Sequence, residues 1–223
     1  VAPPAPRAPS ADTDPERTPA LRSLRPAPPP RGATLLELLV ALALLGLAAG
    51  AAVPALSNIL RKTALDAATT DVVLVFRLAQ NRAIQGGRHY GVKWFSKDGD
   101  VVLTVYEDGN GNGVLSADIK AGLDRMVAGP YWMRGKYPHI TFSFLRNFKG
   151  LDPSGAPIGN LNDPIRFGRS DICTFSPDGA ASPGSVYLSN GVDRQAVVRV
   201  SPANGKIQVF DWLPGKKKWV RRL

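Results

Sequence analysis

The sequence predicts an α+β fold in which a long N-terminal helix packs on antiparallel β-structure. Three observations predict it. Leu38 to Leu60 form a run of 23 residues without a charge, chiefly Leu, Ala and Val. Beyond it, Leu65, Ala68, Val72, Val75, Ala79 and Ala83 recur at three- and four-residue steps, the spacing of one apolar helix face. After Gly87 the pattern changes to short β-rich runs broken by Gly, Pro, Asn and Asp, as in hairpin-linked strands.

Residues 1–30 hold ten prolines and no aromatic side chain, so this stretch cannot bury enough apolar area to offset chain entropy, and a disordered leader over 1–32 is expected. The run over 38–60 is about 35 Å long as a helix, enough for a hydrocarbon core of about 30 Å. It reads as one membrane span within a 33–60 segment, the alternative being a buried helix of a soluble protein. Arg22, Arg25 and Arg31 before it, against Arg61 and Lys62 after it, favour a cytoplasmic N-terminus. Gly46, Gly50 and Pro54 loosen or bend the helix. Its amphipathic continuation covers 61–86 and stops at Gly86-Gly87.

The β-rich domain spans 87–223, with strands expected near 89–95, 100–106, 138–144, 172–175, 185–189, 195–201 and 206–211. Lys97-Asp98-Gly99, Pro177-Asp178-Gly179, Ser189-Asn190-Gly191 and Ala203-Asn204-Gly205 supply turn chemistry between runs. One antiparallel sheet, or two, would cover the helix stripe.

Glu37 is the residue that most needs a reason. It is the last charge before Arg61, and a carboxylate at hydrocarbon depth costs roughly 2.5–3.5 kcal/mol, so it implies a partner. The structural alternative is a side chain that reaches the headgroup level.

Arg31-Gly32-Ala33-Thr34-Leu35-Leu36-Glu37, followed by a Leu/Ala span, resembles the prepilin processing and methylation motif, and the chain looks like a type IV pilin-like protein. The usual form is a basic residue, Gly, a methylated first residue that is most often Phe, then Thr-Leu-x-Glu. Arg31, Gly32, Thr34, Leu35 and Glu37 match it, and Ala33 stands where Phe is usual. Gly184-Ser185-Val186-Tyr187-Leu188-Ser189, followed by the stretch from Val197 to Phe210, resembles the minor pseudopilins of the GspH/FimT group. The resemblance implies a pilin-like fold, cleavage by a prepilin peptidase between Gly32 and Ala33, N-methylation of Ala33, and an assembly role for Glu37 through a neighbour's terminal amine. It implies a structural subunit of the periplasmic pseudopilus of type II protein secretion, single-pass in the inner membrane with a periplasmic C-terminal domain. Its partners would be other pseudopilins or pilins and the inner-membrane assembly platform. A minor type IV pilin acting in pilus assembly or DNA uptake is the alternative.

The net charge is +10, of which the leader holds five arginines against three acids. The remaining excess suits nucleic acid, anionic lipid or an acidic protein, and its sign does not choose among them. Lys216, Lys217, Lys218, Trp219, Arg221 and Arg222 combine cations with an aromatic that could stack on a base. A solvated basic tail is the plainer reading.

Asp108, Asn110 and Asn112, with Gly113 next and Asp118 beyond, follow the oxygen spacing of a calcium loop, although Ile119 stands where such loops place a bidentate Glu. The plainer reading is a Gly/Asn hairpin loop. No enzyme is visible: His89 and His139 lie far apart, and Cys173, the single cysteine, forms no internal disulfide and no metal cluster with them.

Overall fold

The computed structural model describes residues 34–222, without the side chains of 51–62. The expected leader, the Gly32-Ala33 processing site and the side chains of Pro54, Arg61 and Lys62 therefore lie outside the described residues. Helix α1 runs Leu35–Gly86, and the chain divides into two compact units after Leu47.

In the first unit α1 opens on Thr34, whose Oγ1 accepts the Glu37 backbone N–H at 3.2 Å. This fills one of the unpaired donors of the first helical turn. Leu35, Leu36, Leu38, Leu39, Val40, Leu42, Leu44, Leu45 and Leu47 are all more than half exposed and occupy every side of the helix, a pattern that belongs in lipid or a protein interior. Among the described residues no helix is long and apolar enough to cross a membrane; the expected span runs on into positions 51–60, outside the side-chain description.

In the second unit the α1 stripe of Leu65, Ala68, Val72, Val75, Ala79 and Ala83 is buried, together with Val73 and Phe76. The helix ends at Gly86, and Gly87 takes the left-handed φ of +63° that an L side chain resists. Then follow β1 (Tyr90–Lys97), β2 (Asp100–Glu107), α2 (Ser116–Ala121), β3 (Arg125–Trp132), α3 (Met133–Lys136), β4 (Ile165–Arg166), β5 (Ile172–Phe175), β6 (Gly184–Ser189), β7 (Gln195–Val200), β8 (Ile207–Leu213) and β9 (Lys218–Arg221). They form two antiparallel sheets, ordered β3-β2-β1-β5 and β4-β6-β7-β8-β9. Asp98 and Gly99, both at positive φ, turn β1 into β2 between the paired Lys97 and Asp100.

The α1 stripe shares one core with inward residues of both sheets, among them Val92, Trp94, Leu103, Phe175, Val186 and Val198. Phe76 sits at its centre, with the rings of Trp94, Phe167 and Phe175 at 5.5, 5.7 and 6.1 Å. A second cluster covers the other face of the five-stranded sheet, where Leu145, Phe148 and Ile158 pack on Tyr187, Val197 and Trp212.

The strand expected over 138–144 does not form; only Thr141 makes a bridge, to Ser189. Its apolar side chains serve both clusters, Ile140 and Phe142 in the first and Phe144, with Leu145 after it, in the second, so the segment wraps the sheet instead of running along it. The expected basic tail is likewise replaced by strand β9, paired with β8 from Phe210–Arg221 to Leu213–Lys218.

Candidate functional site

The N-terminal end of α1 places Thr34 and Glu37 in one capping turn. Thr-x-x-Glu at a helix start is also a capping-box sequence, a structural signal carried by the same residues that suggest processing and assembly. Glu37 itself is exposed. Its carboxylate stands in the first turn, where the helix dipole favours negative charge.

The structure brings Asp108, Asn110 and Asn112 of the loop after β2 together with Asp118 of α2, as a network of N–H donors to carboxylates. Asp108 is 1 % exposed; its Oδ1 accepts from the N–H of Asn110 (3.1 Å) and Gly111 (2.7 Å), and its Oδ2 from Gly113 (2.7 Å). His89 Nδ1 lies 3.2 Å from Oδ2. Asp124, also buried, accepts from Gly109 and Leu115, and Asp118 Oδ2 accepts the side-chain amides of Asn110 and Asn112. Among the described residues no group of three or more His, Cys, Asp or Glu is placed to hold a metal ion.

Burial alone would push the Asp108 carboxyl up, but the amides of Gly113, Gly111 and Asn110, with His89, outweigh it and hold the carboxyl below its ordinary 3.8. A carboxyl lowered by folding stabilises the fold fully above its unfolded value, and the contribution is lost as pH falls through the lowered one. Asp108→Asn turns an amide donor toward a backbone N–H and is expected to cost about 2–3 kcal/mol near neutral pH. Thermal melts should show that cost at pH 6 and a shrinking difference from wild type below pH 3.8. A pH-independent difference would show that the carboxylate charge is immaterial.

At the other end of the unit, Lys216, Lys217 and Lys218 are exposed. Trp219 is not available for stacking. Its indole N–H donates to Leu151 O at 2.7 Å, and its ring packs on Phe148, Tyr187 and Trp212. The Arg222 guanidinium is held by Asp211 and by Asp66 of α1, the latter at 2.7 Å. Of the six residues expected to contact nucleic acid, the structure gathers the three lysines and Arg221 at the surface and commits Trp219 and Arg222 to the fold.

Residues 30–53 match the prokaryotic N-terminal methylation motif. The chain carries a type IV pilin-like signal. Comparison with curated proteins and with solved structures finds no match. The pilin-like signal implies processing by a prepilin peptidase and assembly with other pilin-like subunits. The matched segment contains Gly32, Ala33, Thr34 and Glu37 together, so the capped turn that starts α1 lies inside the signal.

Proposed function

We propose that this protein is a minor pseudopilin of the GspH/FimT group, a structural subunit of the periplasmic pseudopilus of type II protein secretion. In this reading it is cut after Gly32, methylated on Ala33 and held by a single pass in the inner membrane, with its second unit in the periplasm. The observation that carries the reading is the methylation motif over 30–53 on a helix whose first described turns expose leucine on every side and offer one carboxylate, Glu37. Such a surface needs an apolar surround, and such a carboxylate needs a cation; a bundle of like helices in the bilayer, each with a free terminal amine, supplies both.

The test is mass spectrometry of the protein purified from cells with an active prepilin peptidase. The expected N-terminus is methyl-Ala33. An intact leader in those cells would sink the reading. Cross-linking to pseudopilins, as opposed to pilus subunits, separates the secretion machine from the minor-pilin alternative. That alternative draws support from Lys216, Lys217 and Lys218, which offer charge without a stacking ring. It requires DNA binding that fades steeply with salt and disappears in the triple variant K216Q/K217Q/K218Q.

A further inference from the structure

A cleft of about 500 Å³ opens on the five-stranded sheet, away from α1, where the cover of the second hydrophobic cluster ends. Register places Arg166 of β4, Ser185 of β6, Arg199 of β7 and Gln208 of β8 side by side in one row. All four line the cleft. At about 4.8 Å per strand the row is about 14 Å long, and its two guanidiniums flank Ser185 from strands about 10 Å apart. Like charges held near each other on one sheet face are unfavourable, and each guanidinium meets one acid only at long range, Arg166 with Asp163 at 3.9 Å and Arg199 with Asp152 at 3.5 Å, which leaves both open to closer carboxylates.

The acid nearest the row is largely spent. Asp152, which lines the cleft, accepts the N–H and hydroxyl of Ser154 and the N–H of Ala156 at 2.8–2.9 Å, while Arg199 reaches Asp152 at 3.5 Å and the Ser154 hydroxyl at 3.4 Å. Arg166 reaches Asn160 O at 3.3 Å and Asp163 at 3.9 Å. Each guanidinium has five N–H donors in a fork that matches a carboxylate, and these long contacts leave much of both forks unused. Tyr187, 1 % exposed, lines the floor. Burial, with Asp152, pushes its hydroxyl up to about 12, so it stays a neutral phenol and adds no competing negative charge.

We propose that the Arg166–Ser185–Arg199–Gln208 row is a docking site for the side-chain carboxylates of an extended acidic peptide segment on a partner protein. A row 14 Å long suits about four residues of extended chain, whereas a single small anion would use one fork. The inference stands apart from the pseudopilin reading, because it needs neither leader cleavage nor membrane assembly.

The test uses the full-length protein in detergent micelles at about 150 mM salt, where surface charge is screened within about 8 Å. The probe is a fluorescent peptide, Gly-Asp-Glu-Asp-Glu-Gly, amidated at its C-terminus. Saturable binding is expected, weakened about tenfold or more in R166Q/R199Q as both charge-assisted forks are lost. It should be unchanged in K216Q/K217Q/K218Q, which removes more charge elsewhere. R166K/R199K, which keeps the charge, is expected to weaken binding several-fold through loss of the planar fork, and it carries the test if the glutamine pair melts early. Equal binding of the Asn/Gln version of the peptide would overturn the proposal. So would binding that is indifferent to both arginine pairs or is lost with the three lysines instead.

Discussion

Glu37→Gln is expected to reduce incorporation into a pilin-like assembly on the order of a hundredfold while leaving leader cleavage unchanged. Glutamine keeps the size of the side chain and still suits the third position of a capping box, so the capped turn on Thr34 survives. What disappears is the charge. If a neighbour's terminal amine meets this carboxylate in the bilayer, its loss leaves that cation unpaired at a cost of about 2.5–3.5 kcal/mol, which converts to roughly 60- to 300-fold in the subunit equilibrium. Thr34→Ala is the matching control. It removes the 3.2 Å cap at about 1 kcal/mol and keeps the charge, so its effect on incorporation should be far smaller. Mature subunit in the assembly, quantified against mature subunit in the membrane, reads both. Normal incorporation of Glu37→Gln would eliminate the pairing role, and an equal defect in Thr34→Ala, which keeps the carboxylate, would show that the defect does not report the lost charge.

What the sequence disclosed follows the range of the interactions involved. The buried stripe from Leu65 to Ala83 was legible because helical periodicity is local, and the Asp98-Gly99 hairpin because two positive-φ residues ask for those residue types. Strand β3 was hidden by Gly129-Pro130, which reads as a breaker. It is tolerated because β3 is an edge strand beside an irregular stretch of pairing at Leu103–Val105, and Gly129 adopts a φ of +98°. Strand β9 was hidden in a lysine run, since its pairing depends on Trp219 meeting Trp212 and Leu151, contacts that no local pattern encodes.

The candidate site divides in the same way. The methylation motif over 30–53 is one contiguous stretch and was readable. The Asp108 loop looks like a calcium loop because Asp, Asn and Gly serve both metal ligation and tight turns, and the N–H groups of Gly113, Gly111 and Asn110 that gather on Asp108 are a feature no local pattern shows. The Arg166–Arg199 row exists only through register across β6.

Phe76→Ala is expected to destabilise the second unit by about 3–5 kcal/mol, a large part of the roughly 5–15 kcal/mol available to a domain. Phe76 is fully buried and touches aromatic rings from both sides of the core: Trp94 on β1, Phe175 on β5 and Phe167 just past β4. Trp94 and Phe167 also stack on each other at 5.2 Å, so neither can move into the gap left by Phe76 without losing that contact. Collapse is what makes a truncation cheap, and here the strands on either side fix the ring positions. Phe76→Leu refills part of the volume and should recover part of the loss; a smooth order of wild type, Leu and Ala in thermal melts of the full-length protein would mark a packing effect. If Ala cost less than about 1 kcal/mol, below the usual range for truncating a buried Phe, the helix would be held to the sheets by something else. The polar contacts of α1 would be candidates, among them Lys136 and Tyr137 on Asp71 and Arg222, which grips Asp66 and Asp211 together. Arg222 is partly exposed, and an ion pair open to water is typically worth about 0–1 kcal/mol, so the aromatic group should dominate by several-fold.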